Sequence, residues 1–164
     1  MAADTGFYTP MTPLRLMDTH AGQAGVLEST DVDTPFAAGE VRRYDLAAVG
    51  ALAGTATVAL NLTTVEQAAI GYLTVYPCAA ATDPAPTAAA VNFTAGQVIA
   101  NGALVALSAD GFCVLASRPT HLVLDVVGSF PDTGGYTPLT APTRLVDTRP
   151  SQAGLAAPWT RRCR

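Results

Sequence analysis

Apolar and polar residues alternate along much of this chain with the two-residue period of a β-strand. The segment Thr55-Ala56-Thr57-Val58-Ala59-Leu60-Asn61-Leu62-Thr63 is the clearest case. Its spacing puts Ala56, Val58, Leu60 and Leu62 on one buried face. Ile70 to Tyr76 is rich in β-branched and aromatic residues and stops at Pro77. A short apolar run centres on Val91 and Phe93. Two more runs, Ala103 to Ser108 and Phe112 to Ala116, flank Asp110-Gly111, which predicts a hairpin. His121 to Val127 forms another strand closed by Gly128, and Val41 to Leu46 a weaker one. Only Leu46 to Ala53 has a helical look, weakened by its two-sided Ala/Gly character. Asp83-Pro84-Ala85-Pro86 cannot continue a ladder, and Pro131-Asp132-Thr133-Gly134-Gly135 reads as a linker. Many short strands at regular spacing predict an all-β fold, a single antiparallel β-sandwich, with a β-barrel as the alternative.

A motif near the start recurs near the end. Tyr8-Thr9-Pro10-Met11-Thr12-Pro13-Leu14-Arg15-Leu16-Met17-Asp18-Thr19 reappears, with one inserted residue, as Tyr136-Thr137-Pro138-Leu139-Thr140-Ala141-Pro142-Thr143-Arg144-Leu145-Val146-Asp147-Thr148. Gln23-Ala24-Gly25 then matches Gln152-Ala153-Gly154. The copies stand a domain length apart, which is not a solenoid period. The expected organisation is a module over 1–135, followed over 136–164 by a repeat of its opening strand motif and a tail. A lone leading strand neither buries its apolar face nor satisfies its backbone groups. The second copy is therefore expected to pack on the same module or on a neighbouring chain. Docking in trans by strand addition would generate dimers or filaments. The residues expected to mediate self-association are Tyr136, Pro138, Arg144, Leu145, Val146 and Asp147, matching Arg15, Leu16 and Asp18 of the first copy. Arg15 and Asp18, three apart on a strand, are expected on opposite faces, each anchoring a turn or meeting a partner strand.

These segments resemble a tandem β module of secreted and surface proteins of actinobacteria and some of their phages. The resemblance rests on Arg15 to His20, Gly71 to Pro77, Asn92-Phe93-Thr94-Ala95-Gly96-Gln97, Asp110-Gly111, and Asp125-Val126-Val127-Gly128-Ser129-Phe130. It covers nearly all of 8–149. His20 stands where the pattern has a final Arg, which the second copy keeps as Arg149. The resemblance implies an envelope or extracellular setting and says little about a ligand.

Composition narrows the function classes. Of 164 residues, 49% are hydrophobic and 13% charged, about half the usual charged share, which argues against disorder. A chain of this length buries roughly 70% of its unfolded surface, so its core needs no metal. All nine basic residues are Arg, and the net charge is −4, which disfavours nucleic acid as a partner. The basic cluster Arg161, Arg162 and Arg164 reads as a frayed tail. Leu46 to Leu60 is broken by Gly50, Gly54, Thr55 and Thr57, so no membrane-inserting helix is expected. No basic residue precedes Arg15 and no apolar signal core follows Met1; the chain is expected either to lack a signal peptide or to be a mature segment given a starting Met.

Candidate chemistry is sparse. Of the two histidines, His121 lies four residues before Asp125 on one strand face, about 13 Å away, too far for a hydrogen bond. With no nucleophile elbow, His-Glu-x-x-His or phosphate loop, no enzyme activity, cofactor or metal is expected. Glu28, Asp31 and Asp33 form an acidic loop that reads as solvated rather than as a Ca²⁺ site. Cys78 and Cys113 are either a disulfide in an oxidising compartment or two buried thiols; Cys163 is left over, free or linked to another chain. Tyr72 and Tyr76 share a strand face, Tyr8 and Tyr136 open the repeats, and Trp159 sits in the tail. Packing is the expected role for most of these aromatics. The sequons at Asn61 and Asn92 lie in strands and carry little weight. The expected function is a structural or adhesive module of an extracellular or cell-surface assembly that self-associates with copies of itself or with adjacent modules. The alternatives are a virion decoration, fibre or tail component, and a cell-wall glycan-binding module.

Overall fold

The computed structural model describes residues 7–23, 25, 34–132, 136, 137, 139 and 144. They form two antiparallel sheets of four strands packed face to face, a β-sandwich with no closed barrel. The strands are β1 (Thr9–Asp18), β2 (Glu40–Asp45), β3 (Thr55–Val65), β4 (Gly71–Pro77), β5 (Val91–Phe93), β6 (Ile99–Ala106), β7 (Gly111–Ala116) and β8 (His121–Pro131). One sheet runs β1-β8-β3-β6 and the other β2-β7-β4-β5.

Alternation in the sequence becomes the core directly. Val58, Leu60 and Leu62 of β3 and Leu122, Leu124 and Val126 of β8 point inward from the first sheet. Leu73, Val91, Phe93, Phe112, Val114 and Ala116 answer from the second. Phe36, Phe93 and Phe112 are the largest fully buried side chains. Arg42 closes one border of the core, its guanidinium 4.1 Å over the Phe36 ring while it bonds Glu40 and the Thr34 and Pro35 carbonyls.

Three local expectations are corrected. The predicted hairpin at Asp110-Gly111 is a turn but not a hairpin of one sheet. Ser108 and Gly111 exchange two backbone bonds across Ala109 and Asp110, whose φ values of 48° and 59° are those of a primed turn. Beyond it the strands part: β6 pairs with β3, and β7 with β2 and β4. Both flanking runs have two sheets to complete, and the core between them fills by separating them. The helix-like Leu46 to Ala53 yields only a 3₁₀ turn, Gly50–Leu52, because its apolar residues offer no single continuous face. The third correction concerns Arg15 and Asp18 and belongs to the site below. No helix among the described residues is long and apolar enough to cross a membrane.

Candidate functional site

The repeated motif, in its first copy, is the edge strand β1 lying along β8. Their register is irregular: Arg15 faces Asp125, yet Met17 faces Leu124. Leu16 is therefore an extra residue, a bulge, and Leu16 and Met17 are both buried in succession. The bulge shifts the side-chain phase by one. Arg15 and Asp18, three apart, come to the same outer face, opposite Asp125 and Val123, two apart on β8. A regular strand would hold Arg15 and Asp18 apart; here Arg15 Nη1 lies 2.7 Å from Asp18 Oδ2 while its Nε donates to Asp125 Oδ1. The expectation that each anchors a turn or meets a partner strand agrees with Arg15 on Asp125 of β8 and Asp18 at the turn into His20; the expectation that the two stay on opposite faces is overturned.

Asp18 is the hub. Its side chain is 6% exposed, and the His20 amide and His20 Nδ1 donate to its second oxygen at 3.1 and 2.7 Å. A carboxylate this enclosed is held by the charge-assisted bonds of Arg15 and by the turn it caps. Next along the chain, the Thr19 hydroxyl accepts from the Leu122 amide at 2.9 Å, and the Thr19 amide donates to the Leu122 carbonyl at 3.0 Å. The Arg-Leu-Met-Asp-Thr sequence thus reads β8 residue by residue.

Both histidines meet at the end of this row. Their rings stack with centroids 4.7 Å apart and planes at 12°. His121 Nδ1 is 3.0 Å from the Thr19 carbonyl, which only accepts, so Nδ1 carries the proton. Nε2 then faces Glu66, 3.8 Å away, held in the left-handed region at φ 56°. With Ala21 and Pro35 these residues border a depression of about 340 Å³. His121 and Asp125 serve different partners, as their spacing on β8 requires. Among the described residues, no three His, Cys, Asp or Glu side chains are grouped to hold a metal ion.

At the other end of β1, Tyr8 lies flat over Gly128, where any β-carbon would strike its ring, and its hydroxyl donates to the Val127 carbonyl at 3.1 Å. Phe130 sits between the tyrosines that open the two copies, 5.2 Å from Tyr8 and 4.9 Å from Tyr136. Offset ring contacts of this kind are favourable beyond their area. Tyr136 and Arg144 are described; Pro138, Leu145, Val146 and Asp147 lie outside the described residues, as do Glu28, Asp31, Asp33, Trp159 and Cys163.

On the second sheet, Cys78 and Cys113 form a disulfide, with α-carbons 5.6 Å apart. The bridge ties the loop after β4 over the outer face of β7. Beneath it Tyr76 is buried with its hydroxyl donating to the Asp83 carbonyl, and burial, with the Asp83 charge, pushes the phenol pKa up. Tyr72, on the same face, remains 41% exposed. Sequence reasoning missed its neighbour Arg118, which sits in an unremarkable turn between β7 and β8. Compared with known proteins, the chain matches no family model, no curated protein and no solved structure.

Proposed function

We propose that the chain is a non-enzymatic structural or adhesive module of an extracellular or cell-surface assembly, joined to copies of itself through its second motif. One observation carries this reading. The flank of β8 is a seat that the first motif fills with specific groups: Tyr8 over Gly128, Arg15 on Asp125, Leu16 and Met17 in the core, Thr19 on Leu122. The sequence holds a second set of the same residue types, Tyr136, Arg144, Leu145, Val146 and Thr148. Each chain thus carries two motifs for one seat, and the second motif takes the seat of another copy by displacing the first motif there.

Exchange of one motif for the other replaces like contacts with like, the condition under which strand swapping costs little. A chain that gives its second motif to a neighbour and receives one from another builds an open, head-to-tail array. The disulfide suits an oxidising compartment and with it the extracellular setting. Light scattering on the full chain and on 1–135 tests the proposal. The full chain should grow in mass with concentration and the shortened one remain monomeric. Equal masses for the two would refute it.

A further inference from the structure

We propose that the outer face of the second sheet binds an acidic saccharide in a groove that crosses its strands, a role separate from self-association. The groove, about 540 Å³, includes Gly39, Ile70, Tyr72, Asn92, Ser117 and Arg118. Its floor is one row of the pleat. Tyr72 pairs directly with Asn92 on β5. The Tyr72 amide donates to Ser117 Oγ at 2.7 Å, and the Ser117 amide to the Tyr72 carbonyl at 3.0 Å, which joins the row to the end of β7. Gly39, leading into β2, completes it through its bond to the Ala116 carbonyl. The disulfide-bound loop covers the same face further along, over Tyr76, and stops short of this row.

Three features select the ligand. Tyr72 offers an exposed ring face beside the Asn92 amide and the Ser117 hydroxyl, an apolar platform rimmed by groups that both donate and accept; this suits a pyranose with its apolar C–H face and rim of hydroxyls. Arg118 supplies charge. Arg15, Arg42 and Arg43 each hold a carboxylate, whereas Arg118, among the described residues, bonds only the Ser117 carbonyl and makes no ion pair. Among the described residues no carboxylate lines the groove, although the chain is acidic overall. The Arg118 stem packs where Gly71 lacks a β-carbon, its Nη1 donates to the Ser117 carbonyl, and Arg118 and Tyr72 border the same groove. A planar fork in that position fits a sugar carboxylate. Direction excludes the competing occupant: an acidic peptide adding as a strand would run along the edge of β5, parallel to the strands, and not across the row.

The test is titration of the full chain, by calorimetry and by amide chemical shifts, with oligogalacturonate, a hyaluronan hexasaccharide and a muramic-acid disaccharide. Cellohexaose and a poly-glutamate peptide are the comparators. Saturable binding of at least one acidic sugar is expected, with shifts at Tyr72, Asn92 and Ser117, and with affinity at least about tenfold lower in Arg118→Gln and in Tyr72→Ala. Both substitutions are on the surface, and an unchanged melting temperature shows the fold intact. Absence of binding by all three acidic sugars overturns the proposal. So does equal binding of cellohexaose, which removes the role of Arg118, or of poly-glutamate, which removes that of Tyr72. Because the groove and the β8 seat lie on different sheets, loss of sugar binding and loss of assembly are read separately.

Discussion

Removing the Cys78–Cys113 bridge should cost this small sandwich much of its stability. The bridge spans 35 positions, and closing a loop of that length in the unfolded chain lowers its entropy by about 13 cal/mol/K, or about 4 kcal/mol at 25 °C. Both sulfurs are buried against Tyr76, Val41 and Leu115, so replacement by Ala adds a packing loss of about 1 kcal/mol. For a domain of this size each kcal/mol moves the melting temperature by about 4 °C, so a drop of roughly 15–20 °C is expected. The assay is urea unfolding followed by circular dichroism on 1–135, oxidised and reduced, and on Cys78→Ala, Cys113→Ala and the double variant. Either single substitution should cost nearly as much as both, since either opens the bridge. The slope with denaturant should rise, because the released unfolded chain exposes more surface. A loss below about 1 kcal/mol, or single losses that add, would refute the reasoning that the bridge acts through loop closure.

Further predictions follow from the outer faces. In a double-mutant cycle of Arg15→Met with Asp125→Asn, a coupling of about 1 kcal/mol is expected; Arg15 is 40% exposed and solvent screens the pair. Additive losses would show that the pair contributes nothing. Gly128→Ala should displace the Tyr8 ring at a cost of about 1 kcal/mol, and Tyr8→Ala should abolish that cost, as measured by thermal melts of the two single variants and the double. Burial raises the Glu40 pKa, but the Arg42 guanidinium and the Ala37 amide outweigh it and hold the carboxyl below its ordinary 4.5. That stability is present above the unfolded-state value and is lost as pH falls through the folded one, so Glu40→Gln should flatten the decline of urea midpoints below pH 4.5.

Much of the fold was legible in the sequence. The alternation in 55–63 and 121–127 fixed two central strands with their faces, because each has one dry side and one wet side. The cysteines were ambiguous, since spacing alone does not tell a bridge from two buried thiols; the placement of Cys78 just after β4, beside Cys113 on β7, decides it. Asp110-Gly111 signalled a turn correctly and its sheet membership wrongly, because a tight turn is local while strand pairing is set by the whole core. Arg15 and Asp18 were misplaced for a related reason. Counting by twos assumes a regular strand, and the adjacent apolar pair Leu16-Met17, both of which must be buried, is the one sign in the sequence that the count slips there. The groove was hidden further, since nothing near Arg118 in the chain tells that Tyr72 and Asn92 lie beside it. The repeat, by contrast, was visible as text, and the fold supplies its physical content as a set of contacts with β8.

The most direct test of that content is charge exchange across the proposed junction. Arg144→Asp leaves the first motif and its seat untouched but should abolish assembly of the full chain, as seen by light scattering, because its carboxylate would face Asp125. Asp125→Arg should likewise fail to assemble alone, since its seat repels Arg144. An equimolar mixture of the two should recover mass, with the altered second motif of one chain seated on the altered β8 of the other. Assembly of Arg144→Asp at the native mass and concentration dependence would contradict the account.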